Sequence, residues 1–322
     1  MRPLILCVSL TLCTAWISSH LVERYNRGTH ASAVQETILL GPPGSYPPQW
    51  NNRVLFPAGQ VALSRLTGWS ARESFVALRY ASIAVMFALF YAAASRLSRA
   101  PLAAEHATLA LAIAFCFGFN HDLQNPVDAL DVMAFTLATW FAVGGRLGRL
   151  LILACLASAS RESSLFFGLI WAGAQVTRHS LRRLIAQCVA VTAAALAATL
   201  VLRYVFDGDA FVGPARRWGH AARSVIAFLQ DPGPTDWIPL GAGMLAVAAL
   251  PWLGRPHPRE GWGLLAAGVV MGIVSALGAT PMELRIFLPV VTVWMLAGIL
   301  RGSSPMGVHD HGAPAPASSA AI

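Results

Sequence analysis

Nine polar side chains in this sequence could do chemistry together. They are Arg53, Arg79, Arg161 and Arg285, the carboxylates Asp128, Asp131, Glu162 and Glu283, and Asn52 beside Arg53. An arginine fork donates two parallel N–H bonds to a phosphate. A carboxylate beside it can remove a proton or anchor a sugar hydroxyl. Asp131 is the most informative of the set. It lies one turn after Asp128 on the same helical face, inside the apolar run 127–144. A charge inside a bilayer costs at least ~2.5 kcal/mol on the most lenient scale. Asp131 must therefore pair, face a wet cavity or be protonated. Arg161 and Glu162 are adjacent in sequence, and neighbours do not face one another on a helix. Each requires a partner elsewhere. The catalytic candidates are Asp128, Asp131 and Glu162; the substrate-binding candidates are Asn52, Arg53, Arg79, Arg161, Glu283 and Arg285.

A purely structural role accounts for part of this set. Ser70 precedes Glu73 by three residues, Asn125-Pro126 precedes Asp128, and Thr280-Pro281 precedes Glu283. A capping residue three before an acid, with proline at the first helical position, satisfies helix N-termini. Capping is thus the plain reading of Glu73 and competes with function for Asp128 and Glu283. For Asp131, which capping does not account for, a purely structural ion pair remains open beside a functional role. His121, in Asn120-His121-Asp122, reads as a solvated loop residue.

The elements that must hold these groups are hydrophobic helices. The chain is 56% hydrophobic and 12% charged, with mean hydropathy +0.58, against about 25% charged residues in soluble domains. Several runs approach the ~20 apolar residues that cross ~30 Å of hydrocarbon. The ~10-residue alternating segments of a β-barrel do not occur. The expected fold class is all-α: a polytopic transmembrane helical bundle of about ten membrane segments. Crossings are expected at roughly 4–20, 73–95, 105–119, 127–144, 184–203, 237–254, 261–279 and 286–300. The first run resembles either a signal peptide or an uncleaved helix, and the absence of a clean small-x-small site favours the helix.

Residues 150–176 are ambiguous. As one helix they place Arg161-Glu162 at mid-bilayer and Arg178, Arg182 and Arg183 outside. As a short hairpin turning at Ser160-Arg161-Glu162, they return the basic cluster inside, which the positive-inside rule prefers. Both termini then lie inside. All 23 basic residues are arginine. Eleven of them fall on the inner side with three acids, and twelve on the outer side with twelve acids. The net charge of +8 therefore reads as membrane orientation and lipid headgroup attraction rather than nucleic-acid binding. The ionic chemistry is concentrated outside.

One multipass domain is expected over 1–301, with long outer loops at 21–72 and 204–236. Within them, 57–67 and 214–229 read as amphipathic helices lying on the outer leaflet. The Pro-rich tail 302–322 is expected to be disordered, and its His309-Asp310-His311 is no more than an adventitious metal site. The five cysteines lie in apolar runs without metal spacing. No Walker loop, Rossmann fingerprint or zinc signature is present, so no cofactor and no metal are expected.

Four short pieces carry a resemblance: Asn52-Arg53-Val54-Leu55-Phe56-Pro57, Asn125-Pro126-Val127-Asp128, Arg161-Glu162-Ser163 and Glu283-Leu284-Arg285. Together they resemble GT-C-type integral-membrane glycosyltransferases, and more narrowly small bacterial multipass proteins with an Arg-Val-Leu-x-Pro turn after the first helix. The resemblance implies a location in the bacterial inner membrane and a polyprenyl-phosphate-linked sugar presented to an outward-facing cavity. It also implies a glycan or protein acceptor. The family's base is usually a carboxylate of the first outer loop. Glu23 and Glu36 qualify by position but sit in no recognisable acidic motif. Two other classes remain open: a transporter or flippase for a lipid-linked sugar or another anion, and a non-catalytic membrane scaffold.

Overall fold

The computed structural model describes residues 2–25, 55–98, 101–118, 127–206, 259–278 and 287–300. All the regular structure in these stretches is helical. The helices are α1 (Arg2–Tyr25), α2 (Leu55–Thr67), α3 (Ala71–Leu97), α4 (Pro101–Gly118), α5 (Val127–Val143), α6 (Leu147–Ser158), a 3₁₀ turn (Glu162–Phe166), α7 (Phe167–Gln175), α8 (Leu181–Phe206), α9 (Arg259–Gly278) and α10 (Leu288–Ile299). The interfacial stretch 214–229, the crossing at 237–254 and the tail 302–322 lie outside the described residues.

Local chemistry sets these boundaries. Ser70 caps α3 in a reciprocal capping box with Glu73, as the sequence pattern requires. Glu73 is thereby assigned to capping. Gly68 (φ 74°) separates α2 from α3, and Gly145 (φ 68°) separates α5 from α6. Both turns need the left-handed backbone that glycine adopts without strain. Pro289 occupies the first turn of α10, where its missing N–H removes no helical bond.

Two of these helices are long and apolar enough to cross a membrane, at Glu73–Leu97 and Leu181–Val205. Shorter apolar helices occur at Arg2–Ile17, Leu102–Cys116, Leu147–Ser158 and Leu288–Ile299. Residues 150–176 form the hairpin, not a single helix: α6 and α7 are joined through Ala159–Arg161 and the 3₁₀ turn. With 12 and 9 residues, the two arms reach about 18 Å and 14 Å at 1.5 Å per residue. Neither arm alone spans ~30 Å of hydrocarbon.

Two hydrophobic clusters share a wall. One packs α1, α3 and α4 around Ile83, Phe87, Phe90, Leu111 and Phe115. The other packs α6–α9 around Phe135, Phe167, Ile170, Trp171 and Leu264. Helices α5 and α10 contribute to both. On α5, Ala129 and Val132 face the first cluster, whereas Phe135, Ala138 and Ala142 face the second. A central helix that is apolar all round must be buried. Its two aspartates sit at its first turns, facing Arg161 and Ser163 at the hairpin tip.

Candidate functional site

The site is built on the hairpin tip. Helix α6 ends when Ser160 and Arg161 both return their N–H groups to Ala157 O. Arg161 then takes an extended backbone (φ −164°, ψ 151°), which carries its side chain away from the hairpin. The Arg161 Nη1 donates to Asp128 Oδ1 and to Asp131 Oδ2, each at 3.0 Å. Ser163 Oγ donates to the other oxygen of Asp131, at 3.2 Å. The Arg161, Asp128 and Asp131 side chains are 10%, 0% and 4% exposed, so water screens this cluster weakly. Charge-assisted bonds of this length are the strong class of hydrogen bond. They account for two aspartates at the start of an otherwise apolar helix.

Glu162 turns the opposite way and accepts from Arg203 Nη2 of α8 at 2.8 Å. Each of these side chains is 24% exposed. Adjacent residues at the tip therefore clamp two different helices, α5 and α8. Hydroxyls brace the tip from below. Ser158 Oγ meets Ala154 O at 2.8 Å, Ser164 Oγ at 2.8 Å and Ala195 O at 3.1 Å.

A third strand of chain arrives from the opposite half of the molecule. The backbone N–H of Leu55, at the start of α2, donates to Ala159 O at 3.2 Å. Phe56 stacks edge-on against Phe75 of α3, centroids 5.8 Å apart, with Leu78 and Leu130 completing the contact. The start of α2, which holds Leu55 and Phe56 of the Asn52–Pro57 piece, thus abuts the hairpin tip and the first turns of α3 and α5.

Of the residues singled out in the sequence, the structure brings together Asp128, Asp131 and Arg161, and joins Glu162 to Arg203. Arg79 is buried at 6% exposure, one turn from Phe75 and from Ile83 on the core face of α3. Asn52, Arg53, Glu283 and Arg285 lie outside the described residues, as do His121, Glu36 and the His309–His311 segment. No side chain is described for Glu23. Arg203 was not singled out. Half of its signal was present, because Glu162 needed a cation, but an arginine in the last turn of a helix is favoured there by the helix dipole whether or not a carboxylate is near. Ser163 was visible only as part of the Arg161-Glu162-Ser163 piece.

Chemically, the arrangement offers a buried, pre-organised set of acceptors around one guanidinium. It also offers a partly exposed Glu162–Arg203 pair at its rim. Both oxygens of Asp131 accept hydrogen bonds, which stabilise its charged form and make it a weaker base. Glu162 is the more accessible carboxylate. No cluster of three or more metal-ligating side chains occurs among the described residues. A scan against protein-family models, a search of curated proteins and a search of solved structures each return no match to this chain.

Proposed function

We propose that this protein is a multi-pass membrane protein of the GT-C glycosyltransferase kind, acting on a polyprenyl-phosphate-linked sugar at its outer end. In this reading about ten segments enter the membrane, the termini face the cytoplasm, and the membrane is a bacterial inner membrane. One observation carries the proposal. Three of the four pieces behind the resemblance converge at one end of the bundle: Leu55 on Ala159, and Arg161 on Asp128 and Asp131. The ion pairs support the orientation. Arg161 with both aspartates and Arg203 with Glu162 join residues assigned outside, while Arg2–Glu105 and Arg178–Glu260 join residues assigned inside. In this reading Glu162 handles the acceptor proton, Arg161 fixes the aspartates, and Arg53, Arg79 and Arg285 meet the phosphate.

Translocation is the weaker reading. The buried Thr108, Thr136, Thr139 and Thr292 each return their hydroxyl to a carbonyl of their own helix, so they lend no polar lining to a path through the bundle. A scaffold has a specific observation in its favour: Arg161 is engaged by the protein's own carboxylates. The deciding experiment is mass spectrometry of surface glycans and lipid-linked precursors with and without the gene, complemented by wild type or by Glu162→Gln. Loss of a glycan with build-up of its precursor in the deletion, restored by wild type and not by the variant, is the expected result. Unchanged glycans and precursors in the deletion would refute glycosyl transfer.

A further inference from the structure

The end of the bundle opposite the hairpin tip carries a cationic corner. Helices α6 and α8 pack side by side. Cys155 Sγ reaches Ala194 O, and Ser158 Oγ reaches Ala195 O. These contacts rise together in sequence, so the two helices run parallel and their N-termini lie at the same end. Continuing that register puts Arg146, just before α6, level with the start of α8. Arg146, Arg149, Arg182 and Arg183 are all exposed, and none makes an ion pair with a described residue. The first turns of α6 and α8 contain no acid. Glu260, at the start of α9, is held by Arg178 at 3.7 Å and Thr177 at 3.3 Å.

Directly beyond these arginines the surface is apolar. Arg149 is followed at helical spacing by Ile152 (64% exposed) and Leu156 (63%); Arg182 is followed by Ile185 (54%) and Val189 (60%). The spacing of three and then four residues is the same on both helices and places each arginine on its apolar stripe. A guanidinium one turn from exposed aliphatic side chains matches the boundary between headgroup phosphate and acyl chain. Clustered cations at that boundary recruit anionic lipids. We propose that the α6/α8 corner binds the headgroups of anionic phospholipids through Arg146, Arg149, Arg182 and Arg183. This inference rests on the membrane-spanning reading above but not on glycosyl transfer.

The test uses full-length protein in detergent, offered an equimolar mixture of phosphatidylglycerol and phosphatidylcholine and read by native mass spectrometry. Wild type is expected to retain phosphatidylglycerol about tenfold over phosphatidylcholine, consistent with several cations acting together. R146Q/R149Q/R182Q/R183Q is expected to bring that ratio below about twofold. Replacing the same four residues by lysine, which preserves charge, is expected to keep it. R65Q, on α2 away from this corner, is the control and is expected to match wild type. A ratio unchanged in the glutamine variant, or no preference in wild type, would overturn the proposal. Failure of the membrane reading shows separately, as full-length protein in the soluble fraction after cell lysis.

Discussion

At the scale of single residues, the cluster is asymmetric in what each side chain stands to lose. Removing Arg161 leaves two buried carboxylates without their shared cation, and breaking a buried pair from one side costs about 3–5 kcal/mol. Arg161→Ala is therefore expected to be the most destabilising change in the cluster, read as a fall in thermal midpoint in detergent. Replacing all three by apolar side chains together, as Asp128→Leu with Arg161→Met and Asp131→Leu, is expected to restore most of that loss. The triple variant separates the enzyme reading from the scaffold. A scaffold keeps its role once stability returns, whereas an enzyme whose aspartates serve a substrate folds and stays inactive. Glu162 allows a cleaner cut. Its pair with Arg203 is partly exposed, and such pairs contribute about 1 kcal/mol or less. Glu162→Gln is expected to leave the thermal midpoint nearly unchanged while abolishing glycan modification. A variant equally stable and fully active would remove Glu162 from the chemistry.

At the scale of elements, the second arm of the hairpin, α7, is positioned by glycines that admit no side chain. A Cβ on Gly173 of α7 would collide with the Gly263 carbonyl of α9, and one on Gly168 would collide with Thr192 Oγ1 and lie 2.8 Å from Cys188 O. At Gly173 the obstacle is backbone, which cannot rotate aside, so the helices must separate. Gly173→Ala is expected to cost about 1–3 kcal/mol. Gly148 on α6 has nothing within 4 Å of its added Cβ. Gly148→Ala is expected to be neutral or to stabilise by up to about 1 kcal/mol, because alanine is the better helix former. Thermal unfolding of the two variants side by side checks both signs. The hairpin itself was legible in the sequence, because a single helix over 150–176 would have put Arg178, Arg182 and Arg183 on the wrong side. So was the capping box at Ser70, whose pattern is local. The Gly173–Gly263 approach was not legible. It depends on two segments ninety residues apart meeting at one height, and neither glycine looks unusual in its own helix. Arg203 failed for a related reason: the sequence showed that Glu162 needed a cation but offered several arginines, and only the packing of α8 on the tip selects one.

At the scale of the whole molecule, the two ends differ in what their charges do. At the hairpin end, Arg161 and Arg203 are matched by Asp128, Asp131 and Glu162. At the other end, Arg146, Arg149, Arg182 and Arg183 are exposed, with Glu260 already engaged by Arg178. In the proposed orientation this arginine-rich end is the cytoplasmic one, because the positive-inside rule counts basic residues flanking apolar segments rather than net charge. The orientation is testable in a background with all five cysteines replaced by alanine. Arg65→Cys places a thiol on exposed α2, and Ser180→Cys places one on the exposed turn between α7 and α8. A membrane-impermeant maleimide applied to intact spheroplasts is expected to label residue 65 and to spare residue 180 until the membrane is opened. The reverse pattern would invert the molecule and put the Arg161 cluster on the cytoplasmic side, where a polyprenyl-linked donor displayed outside could not reach it. Labelling of both thiols in intact spheroplasts would mean that the bundle does not separate the two compartments, and the multi-pass reading would fall with it.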